Sequence, residues 1–487
     1  MKLLTLFLLI FVASLSLNGQ IPSFEFVFSQ PTTNAFEHVI QTKDSGFLVA
    51  INQFRAASSV SKLSKNGRLI KTLTLGNDSL LTFIKRFTPT SYGFLGVGSA
   101  LTINNLNKTY YLWLIKMDNQ LNLISQEFHN VPNLLNELIV DTDRDSNVIV
   151  GGGITYKNYL VPYLFGAKIN KNGNLSYLSY KYPDTVRVID PYRGFFDYMI
   201  TMQDSARHLL FNGDKIWSVD SNFNIVHTVN MPYVDSLVYS FYPTVLRLTD
   251  TTYYIASKGF DRVTSKRTLY FSEMTLSGRF NRLRLMGVED TSEQIAIKHS
   301  LDTTKNGDIY IGSTFNYPVT CQNHPFCSDT SFFVLHKMDK RLNTIWKKRY
   351  GKNGLFIMYG LISTSDGGCL MYGYRYLQTV EQKLEAYIIK VDGNGLVTSE
   401  TTIPIAQESI TAFPNPSTGI LNFKKEAPSV FSRFELSVFD ISGKLVFQKK
   451  ETNLFETFDL SHLSTGNYIY QIKHGATIKA IGIWVKN

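Results

Sequence analysis

Lys390-Val391-Asp392-Gly393-Asn394-Gly395-Leu396-Val397 is the clearest copy of a pattern that recurs along the chain. A strand ends in Lys-apolar-Asp, or a worn version of it. A tight turn follows, and another strand begins. Copies start at Lys62, Lys116, Lys168, Ser218, Glu273, Lys337 and Lys390, between 50 and 64 residues apart. Five places after each start stands Gly67, Leu121, Gly173, Phe223, Gly278, Leu342 or Gly395. Seven places after stands Leu69, Leu123, Leu175, Ile225, Phe280, Thr344 or Val397. The register holds without insertion. Lys65-Asn66-Gly67, Lys171-Asn172-Gly173 and Asp392-Gly393-Asn394-Gly395 supply the positive-φ residues of a tight hairpin. Lys116 and Asp118 share one strand face, two residues apart. The Lys stem can cover apolar neighbours while its ammonium stays wet.

Upstream of each copy lies a second recurring strand, such as Gly46-Phe47-Leu48-Val49 or Asp308-Ile309-Tyr310-Ile311. Before it comes a third, such as Tyr198-Met199-Ile200, and after the turn a fourth, such as Leu342 to Arg349. Four strands per repeat and about fifty residues per repeat point to a β-propeller of seven blades. A β-solenoid or stacked sandwiches remain the alternatives. Phe24 to Phe28 is a candidate clasp strand closing the ring against the last blade. The expectation is an all-β chain: a signal peptide at 1–19, a propeller at 20–402, a linker at 403–409 and a small β-sandwich at 410–487.

Composition agrees. The chain has 487 residues, enough for a large core and two domains. Aromatics make up 13%, with 27 Tyr and 34 Phe, and long helical patterns are absent, so strands should dominate. The formal net charge is +10, but the cations are scattered. The densest run, Trp346-Lys347-Lys348-Arg349, sits at a repeated strand position and reads as solvated surface. Nucleic acid is not expected as a partner, because no motif supports it.

Met1-Lys2, an apolar run from Leu3 to Val12 and small residues up to Gly19 make a secretory signal peptide. Cleavage after Gly19 leaves Gln20 first. The run is too short to span a bilayer, and no other run reaches 18 residues, so the mature chain should lack a membrane span. No cysteine lies near the junction to carry a lipid anchor.

The last 78 residues carry three segments in order: Phe413-Pro414-Asn415-Pro416-Ser417-Thr418-Gly419, then Phe439-Asp440-Ile441-Ser442-Gly443-Lys444-Leu445, then Leu463-Ser464-Thr465-Gly466-Asn467-Tyr468. Ile410 to Asn487 resembles the C-terminal sorting domain, type A, of the type IX secretion system of Bacteroidetes. The resemblance rests on Pro414, Asn415, Pro416, Gly419, Asp440, Gly443, Lys444, Leu463, Gly466 and Tyr468. It implies an Ig-like sandwich, which the strand candidates also suggest. It implies as well passage through the periplasm, handling by the type IX machinery and removal of the tail near the linker. Release outside, or joining to surface lipopolysaccharide, would follow. The repeat region is similar to uncharacterised repeat proteins carried by such tails.

Other candidate chemistry is sparse. Cys321 and Cys327 flank Gln322-Asn323-His324-Pro325-Phe326 in the longest insertion. In an exported protein they read as a local disulfide. A zinc site using His324 would need ligands not found nearby, and Cys369 reads as a buried apolar residue. Asp141-Thr142-Asp143-Arg144-Asp145-Ser146-Asn147 has the alternating carboxylates of a calcium loop. It lacks the Gly and the bidentate Glu, so an ordinary turn is preferred. Six triplets resemble the O-glycosylation site of exported Bacteroidetes proteins, with acceptors Ser79, Thr185, Ser205, Ser236, Thr251 and Thr303. The same dipeptides also start ordinary turns. No nucleophile elbow, zinc helix or phosphate loop is present. No metal, cofactor or catalytic residue is therefore expected. Two roles stay open for the repeat region: adhesion or other binding of a glycan or protein, which is preferred, and hydrolysis of a glycan at the channel mouth. The polar turn Gln203-Asp204-Ser205-Ala206-Arg207-His208 is the place a degraded fourth repeat would put such chemistry.

Overall fold

The structure is a computed structural model. It describes residues 22–28, 34–53, 57–76, 79–102, 108–132, 134–156, 159–181, 198–202, 207–212, 215–230, 237–249, 251–261, 267–286, 293–317, 330–351, 354–376, 384–397, 410–425, 434–452, 456–474 and 477–487. The chain forms two compact units, Met1–Thr401 and Thr402–Asn487. The expected signal peptide and linker lie outside the described residues.

Local turn chemistry builds the first unit. Asp118 Oδ1 accepts the amides of Gln120 at 2.9 Å and Asn122 at 2.7 Å. Asp220, Asp339, Asp392 and Asn170 do the same in their repeats, and Ser64 does so through its hydroxyl. The side chain thus satisfies two turn amides that a bare loop would leave open. The residue five places after each start has positive φ in every repeat. That holds for Leu121, Phe223 and Leu342, at 63°, 60° and 66°, as well as for the glycines.

The reason is packing. A Cβ on Gly67 would lie 2.3 Å from the ring of Phe24, and one on Gly173 would lie 2.4 Å from the Tyr92 hydroxyl. In the fourth repeat the sizes are exchanged. Phe223 is buried, and its ring lies where a Cβ on Gly166 would stand. A left-handed non-glycine residue costs about 1–2 kcal/mol. Burying a large apolar side chain returns about 1.5–3 kcal/mol.

Strands Asn34–Gln41, Phe47–Gln53, Ser58–Leu63 and Leu69–Leu75 pair in that order as the first sheet. The second sheet runs from Leu80–Pro89 to Leu123–Val131, and the third from Leu134–Thr142 to Leu175–Lys181. The fourth runs from Tyr198–Thr201 to Ile225–Asn230, and the fifth from Leu237–Arg247 to Phe280–Met286. The sixth holds Glu293–Ile295 and Leu301–Thr303 against Ile309–Phe315, then Phe332–Met338 and Thr344–Tyr350. The seventh is Leu355–Ser363, Cys369–Tyr376 and Leu384–Val391, with Phe24–Phe28 antiparallel on its outer edge.

These are the seven sheets of the first unit among the described residues. The first strand of each packs against the next sheet in order, and that of the first sheet packs on the seventh. One core joins Phe24, Phe26 and Phe36 with Leu370, Tyr372 and Ile388 across that closure. The architecture is a β-propeller whose first strand completes its last sheet.

The repeated lysines depart from the expected wet position. Lys62 pairs with Asp44 at 2.8 Å, Lys168 with Asp143 at 3.2 Å, Lys337 with Asp308 at 3.1 Å and Lys390 with Asp366 at 2.5 Å. Each partner belongs to the turn between the first and second strands, and Lys390 is fully buried. The ammonium is therefore a strut between two turns. A buried cation needs such a partner, because desolvation alone would be prohibitive.

The second unit has seven strands among its described residues. Ile410–Phe413, Ile420–Lys425 and Phe458–Asp459 make one sheet. Leu445–Thr452, Phe434–Asp440, Gly466–His474 and Thr477–Lys486 make the other, in that spatial order. Phe423, Phe434, Leu436, Phe458, Tyr470 and Trp484 lie in the core of this small β-sandwich.

Candidate functional site

The inner strands lose regular register at a shared level. Breaks fall between Phe36 and His38, Ile84 and Arg86, Leu135 and Leu138, Ser240 and Thr244, and Met358 and Gly360. In the sixth sheet the inner strand splits into two pieces around Lys298 and His299. A bulge turns extra side chains away from the ladder. Here it aims polar residues at the ring axis.

Glu37 Oε1 lies 3.6 Å from Lys85 Nζ and 3.4 Å from Lys298 Nζ. The Arg86 guanidinium stands 5.7 Å from the Tyr198 ring centroid. Tyr198 stacks on His299 at 6.3 Å, with an interplanar angle of 18°. His38 Nδ1 accepts the Phe87 amide at 3.2 Å. Several of these contacts skip a sheet: the first to the sixth, the second to the fourth, the fourth to the sixth. Such contacts require side chains to meet across the axis.

Burial opposes the Glu37 charge, yet the ammonium groups of Lys298 and Lys85 outweigh it and hold the carboxyl below its ordinary value. Burial and the Arg86 charge push His299 down to about 3. Burial, Arg86 and His299 likewise depress His38. Both imidazoles are neutral at physiological pH. Nearby, Asp302 Oδ2 accepts the Ser363 amide at 2.7 Å and its hydroxyl at 2.9 Å, and Asp141 accepts the Thr201 amide at 2.5 Å. These carboxylates tie one inner strand to the next. Burial raises the Asp302 pKa.

A second charged cluster sits within the sixth sheet. Glu293 accepts the Ser313 hydroxyl at 2.6 Å and lies 3.4 Å from Lys347 and 3.6 Å from His336. Glu293 and Ser313 are fully buried. This cluster holds strands together and is closed to a substrate.

The residues singled out in sequence are scattered. Cys321 and Cys327 lie outside the described residues, as do Thr185, Ser205 and Ser236. Cys369 is a buried free thiol. Ser79 and Thr251 are exposed, while Thr303 is half-buried beside the engaged Asp302. In the 141–147 segment, Asp143 caps its own turn through Asn147 and pairs with Lys168. His208, from the polar fourth turn, is buried and stacked on Phe223 at 5.3 Å, away from any channel mouth.

In the second unit, Asn415 donates to the Ile483 carbonyl and accepts the Val485 amide, both at 2.8 Å. Its amide thereby acts as a strand partner for the last strand. A Cβ on Gly419 would lie 2.6 Å from Ser461 Cα. Asp440 caps the exposed turn holding Gly443 and Lys444, and Tyr468 donates to the Ser464 carbonyl at 2.7 Å. Pro414 and Pro416 are exposed, Leu463 packs on the core, and Gly466 opens a strand.

The axial residues escaped sequence reading. Their trace is a polar doublet inside an otherwise apolar inner strand: Glu37-His38, Lys85-Arg86, Asn136-Glu137 and Lys298-His299.

Several solved structures resemble the chain at low identity. A protein of unknown function from Bacteroides caccae is 13% identical, covering 66% of this chain and 94% of that one, with TM-score 0.36. The β-propeller domain of the Trilobed protease from Pyrococcus furiosus is 11% identical, covering 77% and 99%, with TM-score 0.40. A fungal alcohol oxidase of the AA5 family, in complex with copper, is 8% identical, covering 95% and 98%, with TM-score 0.48. At these scores the propeller assignment rests on the strand topology, not on the likeness. No curated protein matches. Residues 411–486 match the family described as the secretion system C-terminal sorting domain. That stretch is a type IX sorting domain, and it marks the chain for secretion to the cell surface or outside the cell.

Proposed function

We propose that the protein is a non-catalytic binding propeller delivered to the cell surface by the type IX system. The leader at 1–19 takes it to the periplasm. The sorting domain takes it across the outer membrane and is removed near 403–409. The propeller, about 20–402, is then released or joined to lipopolysaccharide, and it adheres to a glycan or protein. The closed axis carries the binding reading. Glu37, Lys85, Lys298, Arg86, Tyr198 and His299 engage one another across the ring. A glycosidase needs two carboxylates about 5–10 Å apart flanking a scissile bond. Here Glu37 is held ionised by two lysines, while Asp302 and Asp141 are engaged by neighbouring backbone amides.

The test is a glycan array run beside a hydrolysis screen on the delivered protein. Retention of a glycan without turnover is the expected result. Turnover abolished by Glu37→Gln would replace binding by hydrolysis. In the native host, extra mass on Ser79 or Thr251 would support O-glycosylation. Labelling of Cys369 alone in the denatured, unreduced chain would support the Cys321–Cys327 disulfide.

A further inference from the structure

The turns that join the third and fourth strands of each sheet form a belt at one end of the ring. Lys116 Nζ donates to Asn174 Oδ1 at 2.7 Å, the Tyr177 hydroxyl to the Asn222 carbonyl at 3.0 Å, and Lys337 Nζ to the Gly393 carbonyl at 3.1 Å. Lys71 reaches Asn122 Oδ1 at 2.7 Å, and Arg282 reaches the Lys340 carbonyl at 3.3 Å. Turns are thus tied to the sheet before them, which holds the belt level.

Immediately past the turns, the outermost strands begin with bare hydrocarbon. Ile70, Ile124, Val226 and Ile345 are 57%, 54%, 62% and 51% exposed. Each stands eight places after the start of its repeat. Single exposed apolar residues are ordinary, but four at one register position around a ring form a pattern. β-Branching suits a strand start, yet Thr would supply it without exposing hydrocarbon. Between these residues stand exposed cations on the same turns: Lys65, Arg68, Lys171, Arg279, Lys340 and Arg341. The turn carboxylates Asp118, Asp220, Asp339 and Asp392 are directed back onto their own turn amides.

Shape and charge together identify the occupant. Apolar side chains spread around a level rim are covered together only by a flat partner. The cations between them select a negatively charged one. We propose that this end of the propeller seats on an anionic lipid surface. The four β-branched side chains enter the headgroup region and the turn Lys and Arg residues meet lipid phosphates. This inference does not depend on what the propeller binds elsewhere.

The test is sedimentation of the full chain with phosphatidylcholine vesicles, with and without one third phosphatidylglycerol. Binding to the anionic vesicles only, lost at high salt, is the expected result. The combined variant Ile70→Thr, Ile124→Thr, Val226→Thr and Ile345→Thr keeps the branching and should bind at least about tenfold more weakly. A second variant, Lys65→Glu with Arg68→Glu, Lys340→Glu and Arg341→Glu, should lose binding without touching the apolar positions. No sedimentation, or undiminished binding by both variants, would overturn the proposal. So would a wild-type dimer that the Thr variant cannot form, since the rim would then belong to a second copy.

Discussion

Phe223 occupies a backbone conformation that favours glycine, and it fills the space left by Gly166 in the neighbouring sheet. Phe223→Gly would relieve about 1 kcal/mol of left-handed strain but remove a buried ring worth more. A net loss of about 2–3 kcal/mol is expected in urea unfolding; no loss would mean that strain, not packing, governs this turn. His299 gives a second test. Its pKa in the fold, about 3, lies below its ordinary 6.5. As the pH falls, the unfolded chain therefore takes up this proton first. The contribution is complete above about pH 6.5 and is lost progressively as the pH falls toward the folded value. At pH 5 the loss from this one residue is about 2 kcal/mol. His38 and Glu37 are shifted in the same direction and steepen the decline. His299→Phe keeps a ring beside Tyr198 and should flatten the acid limb of the stability curve. An unchanged slope would remove His299 from the account.

Among the elements, Phe24–Phe28 is the most exposed to test. It pairs with Leu384–Val391 over five residues, from Phe24 against Lys390 to Phe28 against Ala386. A chain lacking residues 20–28 should leave the seventh sheet with three strands and a bare edge, prone to self-association. Size-exclusion chromatography would check this, and a monomer as stable as the full chain would count against the clasp. The clasp strand, the four-strand repeat and the tail strands were legible because turn residues and alternation are local. Asp118 and Asn122 lie four residues apart, and their hydrogen bonds follow from sequence. The lysine struts were half legible: the residue recurs, but its partner Asp lies in another turn, about twenty residues upstream. The axial network was not legible. Glu37 and Lys298 come from separate sheets, and only closing the ring brings them together.

The whole molecule joins two units with separate cores. Deleting residues 410–487 should leave the propeller in the periplasm, as fractionation of the native host would reveal; surface delivery of the truncated chain would contradict the sorting role. Within the sandwich, Trp484→Ala empties a fully buried site and should cost about 3–5 kcal/mol in that unit. The propeller's own unfolding transition should be unmoved, which tryptophan-independent denaturant curves on the full chain would resolve.

The completion of the last sheet by the first strand has a further consequence. Ser23 donates its hydroxyl to the Leu396 carbonyl at 2.9 Å, so the two ends of the ring's polypeptide meet in space. Cutting and rejoining then become interchangeable operations. If residues 22 and 397 were linked by a short peptide and new termini opened between the third and fourth sheets, the permuted chain should close into the same ring, with its last join made at a different seam.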